Sequence, residues 1–303
     1  MLAVTLLLAA FLQDGIEPTL LPELKTGPGL AFHFPGDRGL ETDPRVILFE
    51  NFEDADLKKR WSELKSFPGT IDLVGDAHAG TKAARITATP AQDTGGHLYK
   101  MLEPGHEKLY LRFYVKFPAD HGYVHHFVHL VGYRPPTRWP QGGAGERPKG
   151  DERFSTGIDL FGDWGKHKPP GRWMFYSYWC EMKGSPDGKY WGNAPKGAPD
   201  VLARTGTWTC VEVMLRCNAP GKADGEQALW IDGNPAGRWT GYRWRTDAAL
   251  NVNGVWILYY ITENAARQNK AQSRASEHVF FDDIVAATEY IGPMADRTPG
   301  SGR

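Results

Sequence analysis

Hydrophobic and polar residues alternate along much of the chain with the period of two that a pleated strand imposes. The clearest stretch is 108–117. There Leu109, Leu111, Phe113, Val115 and Phe117 fall on one face, and Tyr110, Arg112, Tyr114 and Lys116 on the other. Apolar runs at 46–49, 124–131, 154–161, 173–180, 208–218, 227–232, 254–262 and 278–286 predict further strands. Turn signals separate them: Pro186-Asp187-Gly188, Pro220-Gly221, Asp224-Gly225 and Asp232-Gly233-Asn234. The last two bracket a short strand, as in a meander of hairpins. The helical signal is thin. Residues 54–65 predict one or two turns with Asp54 or Asp56 as the cap, and 264–275 read as a polar helix or loop. The stretch 133–153, rich in Gly, Pro and charge, is long for a loop in a compact domain; such loops either move or build a site.

Composition agrees with an all-β chain. The 35 Gly and 22 Pro among 303 residues argue against a helical bundle. The length suits one large sandwich. The balance of 35 basic and 36 acidic residues leaves a net charge of −1, which offers no electrostatic footprint for nucleic acid. Leu2 to Leu12 is apolar but shorter than the ~20 residues that span a bilayer. It has the length of a secretory signal core, without a basic segment before it. The expectation is a signal peptide over 1–20, a Pro-rich irregular lead-in over 21–45, one domain over 46–293 and a frayed tail over 294–303. The protein is then secreted or periplasmic, with no membrane contact beyond export. The three cysteines, Cys180, Cys210 and Cys217, are too few for a disulfide framework. Either buried free thiols or one bridge, such as Cys180–Cys210, is compatible with their spacing.

The predicted fold is a jelly-roll β-sandwich of two antiparallel sheets, with one sheet presenting a concave polar and aromatic face. The Tyr-Arg-Tyr-Lys side of 108–117 is a candidate for that face, against the plain alternative of a solvated outer surface.

Several motifs carry a family resemblance. Trp208-x-x-x-Glu212, Asn218-x-Pro220-Gly221-x-x-Asp224-Gly225 and Leu229-Trp230-Ile231-Asp232-Gly233 resemble the distal half of family-14 polysaccharide lyases. Phe280-Phe281-Asp282-Asp283-Ile284-Val285 with Tyr290-Ile291-Gly292-Pro293 resembles the end of that domain, and Tyr110 to Val115 an early strand. The resemblance spans about 46–293 and implies a concanavalin A-like jelly roll acting on uronic-acid polysaccharides such as alginate or glucuronan. The implied reaction is β-elimination. A base removes the weakly acidic C5 proton, an acid protonates the leaving O4, and cationic or hydrogen-bonding groups neutralise the adjacent carboxylate.

The family site uses a Lys, a Ser-x-Arg and a Tyr-x-Tyr on three strands. Tyr176-Ser177-Tyr178 matches the last, with both phenols on one strand face about 7 Å apart. Ser155 matches the Ser, but the Arg position is Gly157 and the Lys position is His129. The resemblance therefore implies Tyr176 or Tyr178 as acid or base, and His129 or His125 as partner base or carboxylate neutraliser. Arg112, Tyr114, Ser155 and Arg153 are expected to hold the sugar. The tryptophans offer platforms for apolar sugar faces. With both cationic positions changed, a non-catalytic, lectin-like carbohydrate-binding domain is the alternative.

Strict strand alternation lets His125 and His129 share a face and sends His126 to the other. The first two would then lie roughly 13 Å apart, too far for one zinc ion. Glu50 and Asp283 resemble the structural calcium ligands of jelly-roll carbohydrate-binding modules, against ordinary turn carboxylates as the plain reading. No cofactor is required by the implied reaction. Paired glutamates of a jelly-roll glycosidase are absent: Glu212 stands alone beside Met214 and Arg216, with a Glu212–Arg216 ion pair as the simplest reading. No nucleophile elbow, phosphate loop or dinucleotide motif occurs.

Overall fold

The computed structural model describes residues 17–65, 69–89, 94–261 and 276–296. The apolar run at 2–12, all of 264–275 and most of the tail lie outside these residues. The strands in chain order are β1 (Thr19–Leu20), β2 (Val46–Glu50), β3 (Glu63–Lys65), β4 (Ile71–Val74), β5 (Ala83–Ala88), β6 (Gly95–His106), β7 (Lys108–Lys116) and β8 (Val128–Tyr133). They continue with β9 (Arg153–Phe161), β10 (Arg172–Tyr178), β11 (Trp208–Arg216), β12 (Gly225–Ile231), β13 (Asn234–Tyr242), β14 (Val252–Tyr260) and β15 (Glu277–Ala287). A nine-stranded sheet runs β1-β13-β12-β11-β7-β15-β5-β4, with β2 also on β15. A six-stranded sheet runs β10-β9-β8-β14-β6-β3. The strand pairings are antiparallel, and the result is a jelly-roll sandwich.

The alternation in β7 builds the core. Leu109, Leu111, Phe113, Val115 and Phe117 face inward and join Leu98, Leu130, Ile158, Phe175 and Ile257 from the opposite sheet in one cluster. Each such side chain contributes about 1.5–3 kcal/mol on burial. Six of the tryptophans, Trp61, Trp173, Trp179, Trp230, Trp239 and Trp244, are also buried, so most of the Trp excess serves packing. The Asp232-Gly233 signal forms the two-residue β12–β13 hairpin turn. Both residues have positive φ, 51° and 73°, as a turn matching the strand twist requires. Asp232 further accepts the Cys210 N–H at 2.9 Å. The helical reading of 54–65 contracts to one 3-10 turn, Leu57–Lys59, with Asp56 accepting from the Lys58 N–H.

Two expectations about the polar side of β7 are overturned. Arg112 and Tyr114 do point away from the core, but the lead-in covers Arg112, and His78 and the Met294 backbone meet Tyr114. Turns at Leu30–His33, Pro35–Asp37 and Leu40–Thr42 lie against the nine-stranded sheet, with Leu30, Ala31 and Leu40 packed on Val285, Ala287 and Ile291. Arg112 is fully buried and ion-paired with Asp37. Tyr114 stacks on His78 at 3.5 Å, and its hydroxyl accepts the Met294 N–H at 2.8 Å. Neither is a sugar ligand in this arrangement. Glu212 does not pair with Arg216 either. Its carboxylate accepts the N–H groups of Ile291 and Gly292, both at 2.8 Å, while Arg216 pairs with Glu226. The three cysteines are free, and the Cys180 thiol meets the Arg243 carbonyl at 2.9 Å.

A buried imidazole away from the groove sets part of the acid sensitivity. His121 donates from Nδ1 to the Gly122 carbonyl and accepts at Nε2 from the Tyr259 hydroxyl, both at 2.7 Å. Burial lowers it to about 4 from an ordinary value of 6.5. The unfolded chain therefore takes up this proton first as pH falls, and the folded state loses stability between about 6.5 and 4. From pH 7 to pH 5 the cost is about 2 kcal/mol for this one residue. Denaturant unfolding of the wild type and His121→Gln at both pH values checks this. The variant is expected to lose less stability by about that amount, and equal losses would reject it.

Candidate active site

Strand register brings the motif residues into rows across the outward side of the six-stranded sheet. One row is Trp256, His129, Gly157 and Tyr176, on β14, β8, β9 and β10. The next is Gly254, Val131, Ser155 and Tyr178. A pocket on this face is lined by His126, His129, Ser155, Arg153, Tyr176 and Tyr178, with Tyr133, Phe154, Trp256 and Leu258. The Tyr176 and Tyr178 hydroxyls are 3.5 Å apart. Residues 141–144 of the long 133–153 stretch form one wall. Arg153 holds that wall by donating to the carbonyls of Gly143 at 3.4 Å and Glu146 at 3.0 Å. Of the predicted residues, Tyr176, Tyr178, His129, Ser155 and Arg153 thus meet in one place.

His125 does not join them, because alternation breaks just before β8. Phe127 and Val128 both face the core, so the phase shifts and His126 comes round to the side of His129. The break is held by Asp159, whose Oδ1 accepts the Phe127 N–H at 2.8 Å and whose Oδ2 accepts from His126 Nδ1 at 3.0 Å. His125 is exposed and stacks on His126 at 4.0 Å. Strict alternation sends His126 to the wrong face, and the sequence reading missed Asp159. A usable signal existed for the latter, since Asp159 shares the alternation face of Ser155 and Gly157 and is flanked by Ile158, Leu160 and Phe161.

His129 occupies the space that a side chain at 157 would fill. A Cβ placed on Gly157 would lie 2.6 Å from its ring. The ring is buried, and neither nitrogen has a hydrogen-bond partner among the described residues. Burial pushes its pKa down to about 4, so it is a neutral imidazole near pH 7 and not a substitute lysine. Burial alone would raise Asp159, but the hydrogen bond and charge of His126, His129 nearby and the Phe127 N–H hold it below the usual carboxylate range. Burial, then the neighbouring Tyr178 hydroxyl, raises the Tyr176 phenol well above its ordinary value, so it carries its proton. The groove therefore contains one permanent cation among its lining residues, Arg153.

The Glu50 and Asp283 carboxylates, expected as calcium ligands, meet protein donors. The Glu50 carboxylate accepts from the Phe52 N–H at 2.8 Å and Trp61 Nε1 at 2.9 Å, and faces Arg60. Asp283 Oδ2 meets His78 Nδ1 at 2.7 Å. These oxygens are already used by protein donors.

No family model matches the sequence, and no curated protein matches it. Solved structures do resemble the fold. The marine PL-14 alginate lyase from Aplysia kurodai superposes with a TM-score of 0.58 at 13% identity, covering 80% of this chain and 99% of its own. An endo-β-1,4-glucuronan lyase from the fungus Trichoderma reesei gives 0.52 at 16% identity, covering 80% and 95%. A variant of alginate lyase Aly36B in complex with an alginate trisaccharide gives 0.54 at 16% identity, covering 80% and 97%. The chain shares the jelly-roll fold of alginate and glucuronan lyases.

Proposed function

We propose that the protein is an exported polysaccharide lyase that cleaves a uronic-acid polymer by β-elimination. The observation that carries this reading is the pair of phenols, Tyr176 and Tyr178, 3.5 Å apart in a pocket that also holds Ser155, Arg153 and two histidines. In the elimination the C5–H proton leaves, the C4–O4 bond breaks, a C4–C5 double bond forms and O4 gains a proton. The two hydroxyls, 3.5 Å apart, suit a relay in which one takes the C5 proton as it passes its own to the other, which gives its proton to O4. Arg153 and the histidine side of the pocket meet the sugar carboxylate, and Ser155 offers a hydroxyl to the ring. Trp256 lies in the pocket. Trp139 and Trp191 are exposed on flanking loops, where they suit sugar faces at neighbouring positions. The complex of an Aly36B variant with an alginate trisaccharide supports an acidic polysaccharide as the partner. The apolar stretch at 2–12 supports export.

The test is ultraviolet absorbance during incubation with alginate and with glucuronan, because elimination leaves a conjugated unsaturated sugar end. New absorbance on either polymer is the expected result. Retained binding without new absorbance would leave the second reading, a lectin-like domain, which the replacement of both family cations by His129 and Gly157 favours.

A further inference from the structure

The break in alternation before β8 has a chemical consequence beyond placing His126 in the groove. His126, His129 and Asp159 each offer one ligand atom, and these atoms lie within 4.8 Å of one another. Tetrahedral zinc with bonds of 2.0–2.1 Å needs donors about 3.3–3.4 Å apart. Small side-chain rotations separate the two arrangements. Two of the donors already converge, since His126 Nδ1 and Asp159 Oδ2 are 3.0 Å apart.

The third donor supplies an independent reason to expect a ligand. His129 is 7% exposed, and both its nitrogens are buried without a hydrogen-bond partner. Leaving such groups unsatisfied destabilises a fold, and native folds seldom keep them so. Gly157 clears the floor beneath the ring and so permits this placement. Asp159 is fixed by its bond to the Phe127 N–H, which orients the carboxylate toward the two rings. A site with two imidazoles, one carboxylate and one side open to a pocket has the composition of three-ligand zinc sites that keep a position for water or substrate.

We propose that His126, His129 and Asp159 bind one divalent transition metal ion, of which zinc is the best fit, on the floor of the groove. Two neutral imidazoles and one carboxylate leave the bound ion with a net charge of +1. That charge stands where the resemblance places a lysine and an arginine that this chain lacks. The open coordination position takes a carboxylate oxygen of the sugar. This last role rests on the lyase reading, whereas the metal site does not.

The experiment uses the full chain, stripped with a chelator and then titrated with Zn2+ or Co2+ alone. The expected result is one ion per chain by elemental analysis, and visible absorption of Co2+ in a low-coordinate nitrogen and oxygen site. His126→Ala, at a partly exposed position, should weaken binding roughly 100-fold or more. Gly157→Ala removes no ligand but displaces the His129 ring, and should weaken binding as well. His33→Ala, at an exposed residue outside the groove, should not. Absence of stoichiometric binding, or binding unchanged by both His126→Ala and Gly157→Ala, overturns the site. Ultraviolet assays separate the two readings. Metal binding without elimination on any uronate polymer removes the lyase and keeps the site. Full elimination by a chain that binds no metal does the reverse.

Discussion

Asp37→Ala is expected to destabilise the fold by about 3–5 kcal/mol, the cost of leaving a buried charge without its partner. Arg112 has no exposed surface. Its guanidinium donates to both Asp37 carboxylate oxygens and, at 3.3 Å each, to the carbonyls of Gly292 and Asp283. The pair ties three separate pieces of chain together: the lead-in turns, β7 and the segment after β15. Removing the carboxylate leaves the cation with carbonyl partners only, in a place that water reaches poorly. Urea unfolding of Asp37→Ala, Arg112→Met and the double variant measures this. The double variant should recover much of the loss, because an apolar side chain of similar length needs no counter-charge. A loss below about 1 kcal/mol for Asp37→Ala, a value ordinary for surface pairs, would show that the lead-in is not anchored here.

Tyr178→Phe and Tyr176→Phe are each expected to lower the elimination rate by about 10²–10⁴-fold, the range for loss of a positioned acid or base. Each change deletes one hydroxyl from the 3.5 Å pair and keeps the ring. Substrate binding should change little, because the rings, Ser155, Arg153 and the loop wall stay in place. The ratio of kcat to KM then falls through kcat, the mark of an interaction made at the transition state. Stopped assays on alginate and glucuronan, with binding measured separately, give the split. If both variants retain rates within a few-fold of wild type, the phenols do not transfer the proton.

Tyr-x-Tyr was legible because two residues apart on any strand means one face, whatever lies around it. Gly157 and His129 face each other in register, and the His129 ring fills the space that a side chain at 157 would take. Arg112 shows the limit. Its alternation was read correctly, but alternation says which side of a sheet a residue takes and nothing about what covers that side. The proline-rich lead-in, irregular by its local signals, proved to be the cover. His125 shows a second limit, since the two consecutive core residues Phe127 and Val128 shift the phase by one.

Local pattern is enough to set the all-β class, the inward face of β7, the Asp232-Gly233 hairpin and the strand carrying both tyrosines. These follow from short-range physics: the two-residue pleat and the φ angles that turn residues allow. Long-range packing selects which sheet bears the groove, buries Arg112, and stands His126 and Asp159 beside His129. Those outcomes depend on contacts between segments tens to hundreds of residues apart. A local pattern carries no record of them, because the energies that select them arise only when the two sheets and the lead-in pack together.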